Sequence, residues 1–174
     1  MADIGLVAAL YPAVWSVAQI GTGHWSDSVG RKPLIASGML VQAGALAVLA
    51  LSGGGLAAAA AAAVLLGAGT ALVYPTLIAA MSDAVTPVAR APIIGVYRFW
   101  RDMGYVFGGL IAGGVADALG YEGAIAFVAG LTAASGLWVL RDMPSDHRGP
   151  TPALPGTEPR PVDAMAGHVE SRHG

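Results

Sequence analysis

Gly23-His24-Trp25-Ser26-Asp27-Ser28-Val29-Gly30-Arg31-Lys32 is the only densely polar stretch in the first 80 residues. An uncharged apolar run from Ile4 to Gly23 leads into it, and a second, from Leu34 to Gly53, leads out. Each is about 20 residues long, which at about 1.5 Å per helical residue crosses a hydrocarbon core of about 30 Å. The stretch therefore reads as a tight hairpin between two transmembrane helices. Its Arg31-Lys32 pair marks the cytoplasmic side.

Composition carries the same message. The chain has 174 residues, 55% hydrophobic and 11% charged, whereas soluble domains carry about 25% charged residues. A net charge of -2 with no basic cluster gives no footing for a nucleic-acid partner. There is no cysteine, so neither a disulfide framework nor a thiolate metal site is available. No metal-ligand cluster, nucleophile–base pair or phosphate-binding loop stands out, so no enzyme, cofactor or metal is expected. The start, Met1-Ala2-Asp3-Ile4, lacks the positive region of a secretory signal, and the first apolar run is read as a retained helix. The unbroken Ala57 to Ala63 suits a closely packed membrane helix.

Five spans follow, at about 4–23, 34–53, 56–80, 93–116 and 122–140. The expected fold is an all-α polytopic transmembrane helix bundle over residues 1–141. Single segments of this length satisfy their own backbone in lipid only as helices. Kinks are expected at Pro12 and Pro75, where the ring removes a helical hydrogen bond. The turn Ser52-Gly53-Gly54-Gly55 joins the second and third spans. Residues 142–174 hold six of the eleven prolines and almost no large apolar side chains, so they read as a disordered tail. With the Arg31 loop inside, Arg90 and the tail arginines also fall inside, and Arg98 and Arg101 lie toward that face. The outer loops then hold only Asp3, Asp117 and Glu122. This distribution predicts a multi-pass protein of the cell (plasma or inner) membrane with a cytoplasmic C-terminus.

The opening stretch contains Gly23-x-x-x-Asp27-x-x-Gly30, and the spacing returns 90 residues later as Gly113-x-x-x-Asp117-x-x-Gly120. Three spans fit between the copies, which places them on opposite faces, as an inverted-topology repeat requires. Chance in a glycine-rich chain is the competing reading. Physically, the glycines allow tight reversal and close helix approach. Asp27 can accept from exposed N–H groups at a neighbouring helix end, and Arg31 and Lys32 hold to the anionic cytoplasmic leaflet. The duller reading is that these residues are topology signals alone.

These residues resemble the cytoplasmic signature of the major facilitator superfamily: Gly, three residues, Asp, a basic residue, one residue, Gly and two basic residues. Ser28 departs from it, standing where the family usually has Arg or Lys. Tyr74-Pro75-Thr76, Asp83, Arg90, Gly95 and Tyr97-Arg98-Phe99-Trp100-Arg101-Asp102-Met103-Gly104-Tyr105 are similar to the second half of such transporters. The resemblance covers about residues 4–140. It implies that Gly23, Asp27, Gly30, Arg31 and Lys32 form a conformational-switch loop. By position the five spans resemble helices eight to twelve of twelve, so the first half, where the partner of Asp27 is expected, is missing from this chain.

The fourth span opens with Arg98, Arg101 and Asp102, charges that cost several kcal/mol inside the hydrocarbon boundary unless paired or hydrated. Arg98 and Asp102 are four apart on one helix face, with Tyr105 a turn further, so an internal ion pair is available. Either these groups couple solute or proton movement to helix rocking, or the arginines snorkel to the headgroups while Asp102 neutralises them. Trp15 and Gln19 share a face of the first span, Thr70 and Tyr74 share one of the third, and Gln42 lies in the second. Together with Tyr105 they line a polar pathway or bond helix to helix. Trp25 and Trp138 suit interfacial anchoring, and a lone loop histidine such as His24 is ordinarily just solvated.

The resemblance implies a secondary transporter moving a small solute by alternating access coupled to protons, present here as part of the fold. The alternative is a transport-incompetent half that pairs with a missing N-terminal half or another carrier. Either way the chain's constant partner is the lipid bilayer.

Overall fold

The computed structural model describes residues 2–144, and all its regular structure there is helical. Helix α1 runs Ala2–Val29, α2 Arg31–Leu51, α3 Leu56–Asp83, and α4 Arg90–Asp142, with a 3-10 turn at Pro87–Ala89 before α4. Four helices are long and apolar enough to cross a membrane. The bundle is all-α and transmembrane, as expected. The tail beyond residue 144, and with it the expected side of the C-terminus, lies outside the described residues.

Two boundaries differ from expectation. The first polar stretch is not a loop: α1 continues through residues 24–29, and the whole reversal falls on Gly30, at φ 94 and ψ 158. Its hydroxyls explain why a helix tolerates so polar a sequence. Thr22 Oγ1 donates to the Gln19 carbonyl at 3.0 Å and Ser28 Oγ to that of Trp25 at 3.1 Å, so neither competes for the ladder. The fourth and fifth spans, expected as separate helices, are one element of 53 residues interrupted at Gly120, at φ 78 and ψ 172. α1 and α3 run on through Pro12 and Pro75.

Contacts establish that α4 doubles back at Gly120. Arg101, in its first arm, bonds Tyr74 of α3, while Gly136, in its second, packs on Met39 and Leu40 of α2. Gly38, beside Met39, abuts Gly69 of α3, so the two arms reach similar depths. A straight helix would hold residues 101 and 136 about 50 Å apart. The described chain therefore has five helical arms in alternating direction. α1 and α3 are parallel: Tyr11 meets Thr70, and Arg31, just past α1, meets Asp83.

The core is α3, with α1 on one side, α2 on the other and the second arm of α4 packed on α2. α1 and α2, though consecutive, scarcely touch each other. Small residues set the spacing. A Cβ on Gly69 would lie 2.7 Å from the Gly38 carbonyl oxygen, and one on Gly67 would lie 2.7 Å from that of Tyr11. Lipid tails are as apolar as leucine, so association in a bilayer relies on this close contact. One polar clasp joins the three helices. Thr70 Oγ1 donates to the Leu66 carbonyl at 2.7 Å, accepts from Gln42 Nε2 at 3.0 Å, and receives Tyr11 Oη at 3.3 Å.

Candidate functional site

The first constellation is the joint at Gly30. Arg31, the first residue of α2, is 6% exposed. Its Nε donates to Asp83 Oδ2 at 2.7 Å, its Nη2 lies 2.5 Å from the same oxygen, and its Nη1 donates to Ser26 Oγ at 3.0 Å. Helix dipoles disfavour a cation at an N-terminus and an anion at a C-terminus, yet Arg31 opens α2 and Asp83 closes α3. Pairing offsets both penalties and ties the α1–α2 joint to the far end of α3. Ser28, where the family usually has a base, is exposed and bonded to its own helix. Gly23 is exposed and Lys32 half-buried. The backbone of Asp27 is helical, and its side chain lies outside the described residues.

The second constellation lies deeper, about 14 Å along α3 from Asp83 at about 1.5 Å per residue. Tyr74 is its centre. Trp15 of α1 meets Tyr74 edge-on at 6.0 Å between ring centroids, Tyr11 lies 6.3 Å from Trp15, and Tyr97 of α4 lies 6.5 Å from Tyr74. The Arg101 guanidinium carbon stands 5.4 Å from the Tyr74 ring centroid, a cation–π distance, and Arg101 Nη1 donates to Tyr74 Oη at 2.5 Å. Arg101 also donates to Asp102 Oδ1 through Nε at 2.9 Å and Nη2 at 2.7 Å. Trp15 Nε1 is buried with no hydrogen-bond partner among the described residues.

In place of the Arg98–Asp102 pair that the spacing makes available, the structure pairs neighbours, Arg101 with Asp102. The reason is Tyr74: it draws Arg101 toward α3, where the fork reaches both the phenol and the adjacent carboxylate, while Arg98 is exposed. Of the residues expected to line a pathway, Trp15 and Tyr74 meet directly. Thr70, a turn before Tyr74, is engaged in the three-helix clasp with Gln42. Gln19 and Tyr105 are exposed, and neither joins the cluster. Tyr11, Tyr97 and the partnership of Asp83 were not anticipated from sequence. Asp83 had a usable signal, since an acid ending the third apolar run falls at the same membrane face as Arg31.

The family model of the Major Facilitator Superfamily matches residues 1–169. The chain belongs to that superfamily. It is a multi-pass membrane protein of a transporter family, built on the helices described above. No curated protein and no solved structure matches it. Within this superfamily assignment, the basic residues of the described chain gain an order. Contacts bring Arg31 and Asp83 together and Arg90 Nε to the Ser82 carbonyl at 3.1 Å, and the returning arm of α4 ends at Arg141 and Asp142. Arg31, Lys32, Arg90 and Arg141 therefore share one end of the bundle, while Asp3, Asp117 and Glu122 belong to the other.

Proposed function

We propose that the described helices form the second half of a major facilitator carrier, corresponding to helices eight to twelve, and that they move a small solute by alternating access with protons. The Arg101–Tyr74–Asp102 arrangement carries this reading. A bilayer does not solvate an arginine at this depth, and this one is held by a phenol and a carboxylate rather than stretched to the headgroups. Asp102 is 57% exposed in its side chain, which gives it access to protons. When it takes one, Arg101 loses its counter-charge and recruits a solute group in its place. Arg98, Asp102, Gln19 and Tyr105 are all exposed on segments that cross the membrane. They fit a water-filled path shared with the other half better than they fit lipid. The basic end is then cytoplasmic.

Everted membrane vesicles from cells producing the chain test this. A panel of small metabolites and amphiphilic drugs is added, and proton movement is followed with a pH-sensitive dye. Solute-dependent proton movement that is retained in Asp102→Glu and lost in Asp102→Asn is expected. Equal signals from Asp102→Asn and the unaltered chain would sink the coupling role.

A second reading has its own observation. The first arm of α4 is exposed throughout residues 104–111, a helix tied to the bundle by the aromatic and ionic contacts of Tyr97 and Arg101 and by Arg90 on the Ser82 carbonyl. Such a face suits assembly with another half or a complete carrier. Co-purification of a larger carrier, together with liposomes of this chain alone that stay tight to every solute, would favour that role.

A further inference from the structure

A chamber of about 410 Å³ opens between α1 and α3 at the Arg31 end, walled in part by Ile20, His24, Ser26, Arg31 and Thr76. Thr76 is two positions past Tyr74, about 200° round the helix, so the chamber occupies a different face of α3 from the aromatic cluster. Thr76 is 1% exposed, and its hydroxyl has no hydrogen-bond partner among the described residues. Buried hydroxyls are rarely left so, because they have surrendered water without replacement. Beside it stands a guanidinium that is itself almost wholly buried, braced by Ser26 and Asp83. The polar side chains of this wall are hydroxyls, an imidazole and a guanidinium; the Thr22 hydroxyl is committed to the Gln19 carbonyl, and the Ser26 and Thr76 hydroxyls, the imidazole and the guanidinium can donate. No carboxylate lines it among the described residues.

We propose that this chamber binds a phosphate group, held by the Arg31 guanidinium and the Ser26 and Thr76 hydroxyls. Convergent donors from three helices, one of them an arginine fork, match a tetrahedral oxyanion. The volume admits more than the phosphate alone. On its outer side Ile20, 78% exposed, continues into Val17, 71% exposed, one turn back along α1. That apolar strip offers a track for an acyl chain, so the phosphate is either free in solution or carried by a phospholipid headgroup. Because the site draws on Arg31, its occupancy competes with Asp83 and loosens the tie between α2 and α3. Nothing in this depends on transport through the Arg101 cluster.

The full chain, purified in a neutral detergent, is titrated with radiolabelled inorganic phosphate in one arm. In the other it is titrated with phosphatidylglycerol, bound lipid being counted by native mass spectrometry. One saturable site per chain is expected. Saturation by the lipid alone assigns the site to a headgroup, and saturation by inorganic phosphate assigns it to a soluble ligand. Thr76→Val, which keeps the shape and removes the hydroxyl, should weaken binding about tenfold, the worth of one hydrogen bond to a charged group. Arg90→Gln, at the same end but outside the chamber, should leave it unchanged. If Thr76→Val fails to fold, Ser26→Ala takes its place with the same expectation. Absence of saturable binding by either probe, or equal affinity in the hydroxyl-deleted and unaltered chains, would mean that the chamber holds only water and would overturn the assignment.

Discussion

Gly30 and Gly120 close the two copies of one spacing, and their backbones are nearly the same: φ 94, ψ 158 and φ 78, ψ 172. Both lie in a region of positive φ and extended ψ that only glycine enters without strain. In both copies the helix runs up to the residue before the glycine and another starts at the residue after it. The difference is what the reversal delivers. After Gly30 comes Arg31, 6% exposed and bridged to Asp83; after Gly120 comes Tyr121, 84% exposed. One backbone device thus serves twice, as a sealed joint at the basic end and as an open turn at the other. The repeat conserves the turn geometry, and the side chain that follows decides whether the turn is locked.

The sharpest test of the comparison uses the absence of cysteine from the chain. Val29→Cys and Leu119→Cys, made singly, should react with a membrane-impermeant maleimide from opposite faces of intact cells and everted vesicles. Labelling from the same face would abolish the inverted pairing. Next in size is the lock itself. Arg31→Gln should cost about 2 kcal/mol in detergent unfolding, because it removes a buried guanidinium from Ser26 and Asp83 while the Asp83 carboxylate, 52% exposed, keeps its access to water, whereas Tyr121→Gln should stay within about 0.5 kcal/mol. Comparable losses would mean that the two turns are equally locked. Gly30→Ala and Gly120→Ala should each cost about 1–3 kcal/mol through backbone strain, with Gly30 the larger because its turn also aims Arg31. A Gly120 variant as stable as the unaltered chain would show that the arms of α4 are held by packing rather than by the turn. The smallest effect is expected at Gly114, where a Cβ would meet nothing within 4 Å. Gly114→Ala should gain up to about 1 kcal/mol from helix propensity. Destabilisation there would point to a partner on that face.

Much of this was legible in the sequence because hydrocarbon thickness makes span length a physical ruler. The uncharged runs flanking residues 23–32 gave the helices, and Gly30 and Gly120 marked both reversals. The expected loop from Gly23 onward is helix instead, because polarity does not by itself break a helix when serine and threonine satisfy their hydroxyls on the preceding turn. The Arg98–Asp102 pair that the spacing makes available is not formed, for a different reason. Spacing along one helix says which groups share a face, but Tyr74, on another helix, outbids that geometry by drawing Arg101 inward. Asp83 was visible as a charge, but its partnership with Arg31 required knowing that α1 and α3 run parallel. The aromatic cluster was half legible: Trp15 and Tyr74 stood out as polar-tipped residues in apolar runs, while Tyr11 and Tyr97 are joined to them only by tertiary packing.

The Thr70 hydroxyl has a consequence for how this bundle moves. It gives its one proton to Leu66 and receives from Gln42 and Tyr11, so its bonding capacity is full. An oxygen shared by three helices leaves none of them free to slide alone, and α1, α2 and α3 form a single chassis. The first arm of α4 has no such rivet. It stands on that chassis through the Arg101–Tyr74 bond, the Tyr97 ring against Tyr74 and Arg90 on the Ser82 carbonyl, so a displacement of this arm would be felt first at Tyr74.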